Sequence, residues 1–459
     1  MSTLFWSIAA GLLLAVGYAA SPLTVWALAG SVVLCVLAGQ RLPSPERRRL
    51  VAILAFALAV RFAFVGATFL AAWTNHSDLS LGAFSGDEAY YLQRAIRTRD
   101  VLLDFARTRY DYFMVTDEYG RTSYLGLLTW LQMAVGPTPY GMRMLNAVLF
   151  TAGAALLFRM AYAAYGFLTA TLGLTAILFL PSLFLSSVSM LKESVYFFAS
   201  CAFVVCAVQI VRAQSVSGRI FAAVVGMVAA WVAGDLRQGG FALALAGLAI
   251  GAVIYTLSAS RWYLAAGAAV VLLTAGVAWQ REPVRQLVLN QVTAAAKIHA
   301  GHVFTVGHAY KLMDEGFYKT PVSGAGWTDL NLTGPQAGRF LARAAASFVA
   351  TPLPWEMRST SELLFLPVHL AWYVMLLLLP FGVVAGWRRD PWATCVLIGL
   401  ALPTAAAVAV TNGNVGTLLR LRSLVIPQLV WLSALGLCAI ADAIAAGRTL
   451  RTNPERPTP

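Results

Sequence analysis

Four short segments of this chain set ionisable side chains at the ends of long apolar runs. They are Asp87 and Glu88 in SGDEAYY, Lys192 and Glu193 in SVSMLKESVYFF, Asp235 and Arg237 in GDLRQGG, and Arg420 and Arg422 in NGNVGTLLRLR. Charged groups are costly near hydrocarbon and need a partner or a task there. The set divides by chemistry. The carboxylates can take a proton; the four cations can hold phosphate, arginine through two parallel bonds and lysine as a point charge. Transfer from a phosphate-activated donor needs both, a carboxylate to deprotonate the attacking hydroxyl and cations to stabilise the departing phosphate.

The elements that must position these groups are membrane helices. Of 459 residues, 59% are hydrophobic and 12% charged, against about 25% charged in ordinary soluble domains. Apolar runs recur from end to end, which excludes a disordered chain, a disulfide scaffold and a free cytosolic enzyme. With about 20 residues per crossing, spans are expected at 3–20, 22–39, 50–73, 139–163, 167–187, 191–211, 219–234, 238–258, 262–280, 363–386, 391–410 and 424–446. The fold class expected is an all-α polytopic membrane protein of about twelve helices. The first run lacks a basic leader and a second run follows at once, so the two read as an uncleaved hairpin.

The net charge is +13, and its arginines cluster in the links between runs: 41–49, Arg212 and Arg219, Arg261, 387–390, and the tail with Arg448, Arg451 and Arg456. Counting crossings puts all of them on one face, so the positive-inside rule makes both termini cytoplasmic and sets the four chemical segments at the outer surface. The stretch 124–136 is too short to span and reads as a re-entrant or interfacial helix. Two large outer segments remain, 74–138 and 281–362. The first carries Arg94, Arg97, Arg99, Arg107 and Arg109 with Tyr90, Tyr91, Tyr110 and Tyr112, a pattern of amphipathic helices in the membrane interface. The chain divides into an N-terminal hairpin with its basic loop (1–49), a transmembrane module (50–280), an outer loop region (281–362), C-terminal helices (363–447) and a tail (448–459).

Plain structural readings compete at each position. Asp87 and Glu88 also suit a helix start, Lys192 and Glu193 a local ion pair, and arginines at helix ends snorkel to head groups. Arg61 lies inside an apolar run, where it either snorkels or pairs within the bundle. His299, His302 and His308 match no standard zinc spacing and read as loop histidines. The five cysteines lie inside apolar runs without a C-x-x-C and read as buried hydrophobes. No phosphate-binding loop, nucleophile elbow or dinucleotide fingerprint occurs, and no basic-aromatic module suggests nucleic acid.

Asp87-Glu88 followed by Tyr91 resembles the acidic motif of the C-type glycosyltransferase superfamily, particularly the bacterial relatives of protein O-mannosyltransferases and of the aminoarabinose transferase. FLPSLFLSSVSMLKESVYFF, GDLRQGG, FVATPLPWEMRS and NGNVGTLLRLRSLVIP are similar, in order, to later segments of that superfamily, so the likeness covers about residues 50–446. The resemblance implies an inverting transfer of a sugar from a polyprenyl phosphate to an extracytoplasmic lipid, glycan or protein, in a bacterial inner membrane. It implies Asp87 as base with Glu88 as a second acid, and Lys192, Arg237, Arg420 and Arg422 as donor-phosphate ligands. Tyr91, Glu193, Asp235 and Trp355 are implied as supporting residues. No metal or other cofactor is required, because cations can do the electrostatic work; a divalent ion held by Asp87 and Glu193 is the alternative. A lipid-linked sugar transporter, an O-antigen ligase or polymerase, and a non-catalytic scaffold are the rival readings.

Overall fold

In the computed structural model the described residues are 2–75, 87–105, 108–118, 121–136, 139–305, 307–319, 331–357, 363 and 365–452. Arg107 and Arg456 lie outside them. The fold is all-α and polytopic. Ten helices among the described residues are long and apolar enough to cross a membrane, or eleven if one bent pair is a single span. All twelve expected segments are helical, but the first, Ser2–Ala20, has an apolar stretch of only Leu4–Ala19 and falls short of the ten.

The span expected at 167–187 is broken. It consists of Phe167–Phe179 and Pro181–Ser187, bent by 63°, because Pro181 has no N–H to continue the ladder and its ring clashes with the preceding turn. Arg61, in the helix Ser44–Thr74, answers the break. Its Nη2 donates to the Leu178 carbonyl at 2.7 Å, its Nε to Ser187 Oγ at 2.8 Å and its Nη1 to the Ala57 carbonyl at 3.1 Å. The guanidinium also lies 5.4 Å from the Phe150 ring centroid and 5.1 Å from that of Phe184. Arg61 therefore pairs within the bundle rather than snorkelling, with backbone and hydroxyl acceptors in place of an acid.

The chain forms two compact units, Met1–Ala244 and Leu245–Pro459. The boundary falls inside the helix Gly240–Leu257 and so divides the expected 50–280 module. Beyond it, Gly247 and Gly251 lie against the helix Pro391–Thr411, where a Cβ at 251 would sit 2.7 Å from the Cys395 carbonyl oxygen. In the first unit the helices Pro139–Tyr165, Glu193–Arg212 and Val216–Leu236 pack side by side. On their ends rest Asp87–Leu102 and Ser123–Val135, through a core of Leu92, Ala95, Tyr124, Leu128, Met142 and Leu236. The helix Ser123–Val135 has 13 residues, about 20 Å at 1.5 Å per residue, too short to span.

In the second unit the helix Leu366–Arg389 crosses Ile426–Thr452 at Gly382 and Gly436, where any Cβ would overlap the facing backbone. The outer loop region holds more helix than short pieces: Glu282–Val303 has 22 residues. His299 and His302 lie on it, so only His308 is the loop histidine expected. Gly334–Ala350 buries Ala337, Phe340, Ala344 and Phe348, the stripe of a helix with one apolar face.

Candidate active site

In the first unit, Asp87 and Glu88 open the helix Asp87–Leu102, where carboxylates suit the positive end of the helix dipole. One residue apart, they meet opposite environments. Asp87 is exposed. Glu88 is 2% exposed and ion-paired with Arg143 at 2.8 Å, itself 2% exposed. The same Oε1 accepts the Met190 N–H at 2.6 Å, while Oε2 meets no donor among the described residues. Glu88 is thus a strut between the first outer helix and the loop before Lys192.

That loop is pinned from several sides. Tyr124 Oη donates to the Met190 carbonyl at 2.7 Å, and Asn146 Nδ2 donates to the Ser189 carbonyl at 2.8 Å and that of Leu191 at 3.2 Å. The consequence is a fixed start for Glu193–Arg212, with half-buried Lys192 at its N-cap. Glu193 pairs with Arg237 at 3.1 Å, and the Arg237 guanidinium lies 5.3 Å from the Tyr196 ring centroid. Both partners retain unused capacity: Glu193 Oε2 and Arg237 Nε have no hydrogen-bond partner among the described residues.

Asp235 takes a different part. Its Oδ2 accepts the Ser123 N–H at 2.7 Å, satisfying an orphan donor at the start of Ser123–Val135. Tyr91 is the common neighbour. Burial pushes its phenol up, the nearby carboxylates of Glu193 and Asp87 push it further, and Arg237 opposes them. Asp87, Tyr91, Glu193 and Arg237 therefore share one electrostatic neighbourhood. Arg94, expected at the interface, is fully buried; its Nη1 donates to Tyr90 Oη at 2.8 Å and its Nη2 to the Asp117 carbonyl.

In the second unit Arg420 and Arg422 share the helix Val415–Arg422 but face apart. Arg420 is exposed and Arg422 is buried, since two residues on a helix are roughly 200° apart. Arg422 Nη2 reaches the carbonyls of Ser347 (3.2 Å), Phe348 and Thr351 (2.6 Å) at the end of Gly334–Ala350, where a cation complements the dipole. Asn414 caps the start of Val415–Arg422 by accepting the Gly416 N–H at 2.9 Å. Trp355 is exposed on a short turn, Pro354–Glu356. Nearby, His299 is fully buried, joining the Asn412 carbonyl and Tyr318 Oη. Burial pushes its pKa down to about 4, so it is neutral at pH 7. No group of three or more His, Cys, Asp or Glu gathers as metal ligands among the described residues.

The residues that hold the first site in place were missed in the sequence. Arg143 and Asn146 lie in GMRMLN, at the start of an apolar run, and the rule that singled out Lys192 applies equally to Arg143. Tyr124 gave no signal beyond its type. Searches for related proteins return no matching family, no matching curated protein and no matching solved structure.

Proposed function

We propose that the protein is a membrane glycosyltransferase of the C-type class, moving a sugar from a polyprenyl phosphate to an outer-face lipid, glycan or protein. The observation that carries the reading is the contrast at Asp87 and Glu88. An exposed carboxylate stands beside a buried, ion-paired one, near the incompletely satisfied pair Glu193–Arg237. Asp87 takes the proton of the acceptor hydroxyl as its oxygen attacks the anomeric carbon. The carbon–oxygen bond to phosphate breaks on the opposite side, and the phosphate leaves with the bonding electrons, giving inversion. Lys192 and Arg237 are the cations assigned to the phosphate in this reading, and no metal ion is required. Glu88 is a positioning residue. In this reading the first helix and the bent pair also cross, which makes twelve crossings, cytoplasmic termini and chemistry on the outer face of a bacterial inner membrane.

The test is transfer by purified protein in lipid, supplied with radiolabelled polyprenyl-phosphate sugars. Wild type transfers; Asp87→Asn loses at least a hundredfold, in the range of a removed general base, and Lys192→Ala is weakened. Full transfer by Asp87→Asn removes the assignment, and no transfer from any donor removes the reaction. One observation favours a second reading. The broken helix around Arg61 has the form found in transporters, so a lipid-linked sugar transporter is the alternative. Movement of the same donor across proteoliposomes without any chemical transfer would select it.

A further inference from the structure

The helices Leu366–Arg389 and Ile426–Thr452 meet backbone to backbone at Gly382 and Gly436. From that crossing toward their C-terminal ends runs a groove of about 620 Å³. Phe381, Val384 and Ala385 stand on one wall and Ile440, Ala443 and Ile444 on the other, while Arg388 is the one charged side chain among the lining residues. Helix spacing accounts for the set, because positions three and four apart share a face. The alanines leave room that larger side chains would fill.

Both walls belong to helices long and apolar enough to cross a membrane, so the groove opens toward hydrocarbon. Phe381, Val384 and Ile444 are each more than half exposed there. What covers them is an acyl chain or another apolar helix, and the arginine decides between the two. Arg388 lies in the last turn of its helix, between Trp387 and the Trp392 of the next helix, and tryptophans so placed mark head-group depth. Its side chain is exposed and forms no ion pair among the described residues. The neighbouring acids do not answer it. Asp390 Oδ1 accepts the Ala393 N–H at 2.9 Å, and Asp442 is not a wall of the groove. A second apolar helix laid here would strip water from an uncompensated cation. A lipid with a phosphate brings both the chain and the counter-charge.

We propose that the groove binds an anionic glycerophospholipid, with an acyl chain between the two helices and the phosphate on Arg388. A guanidinium holds phosphate oxygens through two parallel bonds. A zwitterionic head group carries its own cation, so net charge favours the anionic lipid. The site does not depend on the sugar-transfer reading and is distinct from it. Val415–Arg422 adjoins the N-terminal end of Ile426–Thr452, and about 28 Å of helix separates Arg388 from His369 near the other end of its own helix.

The test is native mass spectrometry of the delipidated full-length protein, titrated with phosphatidylglycerol or with phosphatidylcholine of the same acyl chains. Wild type is expected to retain phosphatidylglycerol preferentially. Arg388→Gln should weaken phosphatidylglycerol about tenfold, the scale of a hydrogen bond between charged groups, and leave phosphatidylcholine unchanged. Ala443→Phe, which fills the groove, should weaken both lipids. Both positions are exposed, so melting temperatures without lipid should match wild type, which separates lost binding from lost fold. Equal retention of the two lipids by wild type overturns the proposal, as does a preference that survives Arg388→Gln or binding untouched by Ala443→Phe. A dimer of the delipidated protein that Ala443→Phe dissociates would make a second copy the occupant and overturn it equally.

Discussion

Replacing Glu88 by glutamine tests whether the buried carboxylate is a strut. The side chain keeps its length, and its amide oxygen can still accept the Met190 N–H, so the change falls mainly on the charge facing Arg143. Both partners are 2% exposed and 2.8 Å apart. Breaking such a pair from one side costs about 3–5 kcal/mol, because the remaining charge stays buried without its carboxylate. At roughly 2–4 °C per kcal/mol for a unit of this size, the melting midpoint should drop by roughly 6–20 °C. Removing the second charge should recover part of the loss: Glu88→Gln/Arg143→Met is expected to be more stable than Glu88→Gln alone, with a coupling of about 2 kcal/mol or more. Thermal unfolding of the four proteins in one detergent, followed by tryptophan fluorescence, gives the cycle. Additivity within about 0.5 kcal/mol, or a Glu88→Gln midpoint within 2 °C of wild type by the same conversion, would refute the argument.

Two further perturbations follow from the buried groups. Arg61→Lys should be less stable than Arg61→Met by about 1–3 kcal/mol, because an ammonium keeps the buried charge without reaching all three acceptors; melting curves in which methionine is worse would contradict this. His299 has a pKa near 4 in the fold against about 6.5 when unfolded. The unfolded chain therefore binds the proton first as pH falls, and the contribution of about 3 kcal/mol is complete above pH 6.5 and lost progressively toward pH 4. Melting of wild type minus His299→Gln across that window should show the slope, and parallel curves would exclude it.

The helical architecture was legible because membrane spans announce themselves by length and apolarity alone. Where the reading fell short, a tertiary partner decided the outcome. Pro181 sits in an apolar run that hydropathy joins into one segment, and only the acceptors it frees, met by Arg61 from a distant helix, show why a break there is stable. The helix Glu282–Val303 reads as loop from sequence alone because its polar residues hide a buried face of Leu289, Thr293, Ala296, His299 and Val303. Residue types at helix ends single out Asp87, Lys192 and Arg237 as candidates, but sequence does not say which charges are already matched. Glu88 and Asp87 are neighbours in one motif, and burial alone separates them. Arg420 and Arg422 look like a pair in sequence and are turned apart by the pitch of one helix.

Matched and unmatched charges are the more useful division when roles are assigned. A buried ion that already has its partner, as Glu88 has Arg143, cannot turn to a substrate without abandoning that partner, at a cost near 3–5 kcal/mol. It is suited to holding geometry through a reaction in which other charges change. Groups suited to react must exchange partners cheaply; Asp87 and Lys192 are exposed or half-buried, and Glu193 and Arg237 use only part of their capacity.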